Sequence, residues 1–350
     1  MLGFTIDSEK FAPVTRRGPF GIAQKAASRV RQLARLVLVA SIGALLTGCS
    51  TPPVRPAGPY VVVLGIAQDA GVPQAGDRSH PAWRDPNLRR HASCVGLIDP
   101  RLEAGEGRTR RWMFEATPDF KWQLFRLDQG APVDARPGLD GIFLTHAHIG
   151  HYAGLVMLGH ESMGAHDVPV YAMPRMAKFL RENGPWEQLV RYENIELRPL
   201  TAGQPVRLAD DIRVTPFLVP HRQEYSEVVG FRIDGPERSV LFLPDIDSWH
   251  EWDAEGTRLE EVLAGVDVAY LDATFFADGE IPGRDMSGFP HPFIRTTMYR
   301  LAPLPAAERA KVRFIHLNHT NPALLPGSAA AREIHSKGFR VARELEIVEI

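Results

Sequence analysis

Three imidazoles fall within six positions of this 350-residue chain, at His146, His148 and His151, directly after the apolar stretch Ile142-Phe143-Leu144-Thr145. Residues two apart in an extended segment project to the same side, so His146 and His148 can face one ion. His151 follows as the chain turns into a small-residue helix start at Tyr152-Ala153-Gly154-Leu155. Neutral imidazole is the commonest protein ligand for zinc-like metals, so this spacing points to a metal centre at a strand end. The chain has two cysteines, Cys49 and Cys94, which exclude a four-thiolate zinc site and a disulfide scaffold. A metal here must be held by histidine and carboxylate.

The elements that position these residues alternate along the chain. Apolar, β-branched runs predict strands over residues 60–66, 94–98, 112–116, 142–145, 168–173, 212–219, 228–233, 240–243, 266–271 and 312–317. Helices are predicted over 118–127, 152–158, 175–183, 259–264 and 328–337. Strands arriving in pairs as well as singly between helices predict two mixed sheets with helices outside. The turn Gly65-Ile66-Ala67-Gln68-Asp69-Ala70-Gly71 lacks both glycine patterns of nucleotide-binding loops. With 44% hydrophobic residues the chain can bury a large core, and 40 Lys+Arg against 42 Asp+Glu give no electrostatic case for a nucleic-acid partner. A small-molecule substrate is the expected partner.

The beginning of the chain reads as an export signal. Arg16, Arg17, Lys25, Arg29, Arg31 and Arg35 precede the apolar or small run 36–46, which is shorter than the roughly 20 residues a bilayer-spanning helix needs. Leu46-Thr47-Gly48-Cys49 resembles the lipobox of bacterial lipoproteins, which implies lipidation at Cys49. The expected organisation is a signal peptide over 1–48, a proline-containing tether over 49–58 and a folded domain over 59–350. Without 1–48 the chain loses seven basic and two acidic side chains, leaving a net charge near -7. The expected location is outside the cytoplasm, held to the membrane through acyl chains on Cys49 and facing the periplasm or cell exterior. Cys94, within an apolar run, is expected to be a small core residue.

The pattern His146-x-His148-x-Gly150-His151 resembles the HxHxDH motif of the metallo-β-lactamase-fold superfamily. The resemblance implies an α/β (α+β) fold, a single-domain four-layer αββα sandwich. It further implies that His221 in Val219-Pro220-His221, Asp245 in Leu243-Pro244-Asp245, and His319 in His316-Leu317-Asn318-His319 complete the ligand set. One metal would be held by His146, His148 and His221, a second by His151 and His319, with Asp245 between them. Zinc, as one or two ions, is the expected cofactor, with iron or manganese as alternatives. The implied chemistry is attack by a metal-bound hydroxide on a small ester, lactone, amide or phosphoester. Asp245 and His291, the latter in Gly288-Phe289-Pro290-His291-Pro292, are the expected catalytic residues. Asp272 either orients a ligand histidine, touches substrate or is structural, and His316 reads as a buried strand residue.

Gly150 stands where the family motif has a ligating aspartate. Three consequences are open: Glu224 or Asp247 substitutes, the site holds a single ion, or the chemistry is other than simple hydrolysis. Within the superfamily, the segments 65–73, 270–276 and 316–322 are similar to parts of the coenzyme pyrroloquinoline quinone biosynthesis protein B group. That similarity implies, as an alternative function, a metal-dependent oxidoreductase acting on a quinone precursor. A third alternative, suggested by Gly150, is a non-catalytic ligand-binding lipoprotein.

Overall fold

The segment Tyr60–Gly65 reads YVVVLG and is buried at every position, so it needs apolar partners on both faces. It finds them by alternation. Val61 and Val63 belong to one core cluster with Phe231, Val240 and Phe242, whereas Tyr60, Val62 and Leu64 belong to another with Phe120, Leu124, Met176 and Leu180. The first cluster packs sheet against sheet and extends to the helices on the second sheet, and the second packs the first sheet against its own helices. The structure is a computed structural model that describes residues 56–101 and 108–350. The expected signal peptide, Cys49 and the first part of the tether lie outside the described residues. Among the described residues no helix is long and apolar enough to cross a membrane.

The strands are β1 (Tyr60–Gly65), β2 (Cys94–Asp99), β3 (Arg110–Phe114), β4 (Gly141–Phe143), β5 (Val168–Ala172), β6 (Ile195–Pro199), β7 (Val206–Arg207), β8 (Arg213–Leu218), β9 (Val229–Asp234), β10 (Ser239–Leu243), β11 (Val268–Asp272), β12 (Val312–Ile315), β13 (Arg340–Val341) and β14 (Ile347–Glu349). They form two seven-stranded sheets, in the orders β14-β1-β2-β3-β4-β5-β6 and β13-β12-β11-β10-β9-β8-β7. Stacked Phe114 and Phe143, with ring centroids 5.0 Å apart, meet Phe231 edge-on across the interface at 5.5 and 5.6 Å. Helices Phe120–Gly130 and Pro174–Glu182 bury Leu124 and Leu180 against the outer face of the first sheet. Ile294–Leu301 joins the core of the second. This is the expected mixed two-sheet sandwich with helices outside.

Strand direction decides where the chemistry gathers. In the second sheet β10, β11 and β12 run parallel, and β8 runs with them because it is antiparallel to β9, which is antiparallel to β10. In the first sheet β4 runs parallel to β3, and β1 shares their direction through the intervening antiparallel β2. The loops that leave β1, β4, β8, β10, β11 and β12 must therefore open at strand ends of like polarity. The sheets are joined there as well: Gln68 N–H donates to Leu317 O at 2.8 Å, Leu317 N–H to Ile66 O at 2.9 Å, and Val229 N–H to Thr145 O at 3.2 Å.

Candidate metal centre

His146 comes three residues after the end of β4, and His148 precedes the single helical turn Ile149–Tyr152, which carries His151 in its last turn. Asp245 follows β10, Asp272 ends β11, and His316 is the first residue after β12. All but His148 are buried, Asp245 at 4% exposure. Asp245 is the centre of the cluster: its Oδ2 lies 3.4 Å from His146 Nε2, 3.0 Å from His151 Nε2 and 3.5 Å from His316 Nε2. Its Oδ1 lies 3.7 Å from His221 Nε2 and 3.1 Å from His291 Nδ1. His148 turns Nδ1 inward, 2.8 Å from His146 Nε2 and 3.2 Å from His221 Nε2.

The outward nitrogen of each histidine is held by an acceptor. His151 Nδ1–H donates to Glu115 at 3.1 Å and His221 Nδ1–H to Asp247 at 2.6 Å. Thr145 Oγ1 donates to Glu115 and so accepts from His146 Nδ1–H at 2.8 Å; Thr274 Oγ1 donates to Asp272 and accepts from His316 Nδ1–H at 3.0 Å. His148 Nε2 meets Glu224 Oε2 at 2.9 Å. Such outer partners fix the tautomer and leave a lone pair on the inward nitrogen, the form a metal requires.

With the imidazoles neutral, as metal ligands must be, several lone pairs thus converge on the acceptor oxygens of Asp245. His151 Nε2, His316 Nε2 and Asp245 Oδ1 are buried and make no hydrogen bond. A cation is the group that resolves this arrangement. Two donors about 2.05 Å from a common ion at tetrahedral angles lie roughly 3.3 Å apart, and the separations above straddle that value. Two donor sets meet at Asp245: His146, His148 and His221 form one with it, and Asp69, His151 and His316 form the other, with His146, His151 and His316 all next to its Oδ2. A third grouping joins Asp245 to Asp272, His291 and His316. Burial alone raises the Asp245 pKa, but His316, His221, His151 and His291 reverse this and hold it well below the usual carboxylate range. Burial and the neighbouring His151 push His146 down, favouring its neutral form. His291 is pulled down by burial yet ends well above its ordinary value because Asp272 and Asp245 flank it.

The structure brings His146, His148, His151, His221, Asp245 and His291 to one place. It does not bring His319, whose Nε2 lies 3.9 Å from Asp77 and outside every donor set among the described residues. His316 takes the place expected for His319. The reason is backbone: β12 stops at Ile315, and His316 adopts φ 66°, which swings its side chain out of the strand alternation and into the site. His319 lies beyond, in the turn where Thr320 N–H donates to Asn318 Oδ1 at 3.1 Å. Glu224 and Asp247, the expected replacements at Gly150, instead hold the outer faces of His148 and His221. The carboxylate beside Gly150 is Asp69, from the turn after β1, a segment notable in the sequence for lacking a nucleotide-loop pattern and for its similarity to the biosynthesis protein B group but with no ligand role expected for Asp69. Glu115 was also missed; its signal is an acid immediately after the apolar strand β3. A cavity of about 730 Å³ adjoins the centre, lined by Arg222, Asp247, Trp249, Phe289 and His291 among others.

Comparison with known proteins agrees with this geometry. The family described as Beta-lactamase superfamily domain matches residues 110–319, more than half of the chain. Coenzyme PQQ synthesis protein B of Xanthomonas oryzae pv. oryzae is 26% identical over 318 residues, covering 82% of this chain and 99% of that protein. The protein of the same name from Ruegeria pomeroyi is also 26% identical, with the same coverage. Among solved structures, Zn(2+)-bound PqqB from Methylobacterium extorquens aligns with a TM-score of 0.67 at 22% identity, over 83% of this chain and 100% of that one. A diphosphatase from the PhnP family aligns with a TM-score of 0.58 at 22% identity, over 83% and 97%. On the extent of the family match, the chain belongs to the beta-lactamase superfamily, with the metallo-β-lactamase fold.

Proposed function

We propose that this protein is a metal-dependent hydrolase of a small ester, lactone, amide or phosphoester, with zinc in one or two positions. The observation that carries the reading is the ring of imidazole nitrogens, each histidine held from outside, that closes on the buried carboxylate of Asp245 with no lysine or arginine beside it among the described residues. A divalent ion bound there would lower the pKa of its water towards about 7 and polarise a carbonyl or phosphoryl oxygen. His146, His148 and His221 would hold one ion and Asp245 would touch both positions. His291 lines the adjoining cavity with Nδ1 fixed 2.7 Å from Asp272, which suits it to hand a proton to a leaving group. Arg222 in the same cavity offers a cation to an anionic substrate.

The test is elemental analysis of the full chain purified without a metal-binding tag, followed by turnover screens. Two equivalents of zinc or manganese, with ester, lactone or phosphodiester turnover abolished by a chelator, is the expected result. A chain that takes up no ion refutes the reading. The oxidoreductase alternative is favoured by similarity spanning 99% of proteins named for PQQ synthesis, and oxygen uptake by iron-loaded protein with a quinone precursor would establish it. Ligand binding that ignores a chelator, without turnover, would leave the binding lipoprotein. We also propose that 1–48 is an export signal, that Cys49 is lipidated and that the domain 59–350 faces the periplasm or cell exterior. Membrane-fraction protein whose N-terminal mass shows an acylated Cys49, released by Cys49→Ala, is the expected observation.

A further inference from the structure

Gly150 leaves the family's motif without its aspartate, and the space that side chain would use is filled. A Cβ built on Gly150 would lie about 2.5 Å from Asp69 Cα and closer still to the Asp69 carboxylate, so position 150 must be glycine while Asp69 stays where it is. Asp69 Oδ1 lies 3.6 Å from His151 Nε2 and 3.8 Å from His316 Nε2, both buried nitrogens that make no hydrogen bond. Among the described residues no lysine or arginine pairs with Asp69; its ion-pair neighbours are these two histidines.

The turn that delivers Asp69 is held in place. Gln68 N–H donates to Leu317 O, Asn318 Nδ2 donates to Gln68 Oε1, and Gly71 N–H donates to Gln68 O at 3.0 Å. Leu317 and Asn318 directly follow His316, so the turn bearing Asp69 and the residue bearing the second imidazole are tied to each other. Asp69 itself sits at φ 34°, a left-handed backbone that aspartate tolerates better than most residues. Asp69 also lies outside the matched family segment, which begins at residue 110.

We propose that Asp69 is a metal ligand of the second position, with His151, His316 and Asp245, replacing from the β1 turn the carboxylate that Gly150 cannot supply. The proposal rests on the metal-centre reading above. The glycine and the aspartate form one exchange: the carboxylate moved to another segment, and position 150 gave up its side chain to admit it.

The test is zinc uptake by the full chain, read by equilibrium dialysis with elemental analysis and by calorimetric titration. Wild type is expected to hold two equivalents, and Asp69→Asn one, with affinity at the second position lower by at least about 100-fold, the upper end of the effect of losing an outer partner. Asp69→Ala should behave the same. The Asp69 side chain is 38% exposed, so neither change removes core packing, and an unchanged melting curve in chelator checks this. His146→Ala should keep the Asp69 position and lose the other. Two equivalents in Asp69→Asn with affinities within about threefold of wild type would overturn the proposal, as would a single wild-type equivalent that Asp69→Asn leaves unchanged. Wild-type protein holding no zinc refutes the metal-centre reading itself, and the assignment of Asp69 with it.

Discussion

Glu115 is where an isosteric change should separate stability from metal affinity. Its carboxylate is fully buried and takes three hydrogen bonds: Oε1 accepts from Thr145 Oγ1 and from His151 Nδ1 at 3.1 Å, and Oε2 accepts from Thr145 N–H at 3.3 Å. Glu115→Gln keeps the shape and can keep the amide oxygen on the Oε1 side. The amide nitrogen then faces Thr145 N–H, donor against donor. Leaving a buried donor unsatisfied costs about 1–3 kcal/mol, so a loss of about 2 kcal/mol is expected in metal-free protein. For a domain of this size that is a Tm drop of roughly 3 °C. The metal effect is separate, because Glu115 orients His151 directly and His146 through Thr145, one imidazole from each donor set. Loss of a charged outer partner weakens metal binding by roughly 10- to 100-fold, and the His151 position should show it more strongly than the His146 position. Thermal melts in chelator and zinc titration by calorimetry measure the two effects independently. A variant that melts within 1 °C of wild type and binds zinc with unchanged affinity would refute the account of Glu115 as a shared orienting group.

His316→Ala should abolish uptake of the second ion, whereas His319→Ala should leave metal content unchanged, and elemental analysis of the two variants decides between the two histidines. Gly150→Ala should mimic Asp69→Ala in metal titration without substituting any ligand, because its Cβ displaces Asp69. Asp99 is buried between Arg101 and Arg110, at 2.8 Å from each, and although burial alone raises its pKa the guanidinium groups hold it below the usual carboxylate range. A depressed folded pKa adds stability above the unfolded value near 4 that is lost as pH falls through the lower folded value. Asp99→Asn should therefore be less stable at pH 7, by about 2–3 kcal/mol after discounting the partly exposed Arg101, with the gap to wild type in thermal melts closing at acid pH.

What the sequence alone determined is what lies within one short segment. His146, His148 and His151 were legible as a set because the end of β4 and one helical turn suffice to converge them, and no distant contact is needed. The paired sheets were legible because their central strands are apolar runs, buried on both faces. The edge strands β6 and β14 were not, because β6 is buried at only its first residue and β14 gains its identity by pairing with β1. The rest of the site was settled by tertiary structure. His316 sits in the apolar run Phe314-Ile315-His316-Leu317, which reads as strand alternation, and only the left-handed φ at His316 and the cross-sheet bond from Leu317 to Ile66 turn it into the centre. Asp69 and Glu115 carry little local signal, since Glu115 is a lone acid directly after β3 and Asp69 a lone acid in the turn four residues past β1. Their roles exist because the parallel course of β1, β3 and β4 brings their strand ends beside the same histidines, a proximity that depends on sheet direction rather than on spacing along the chain.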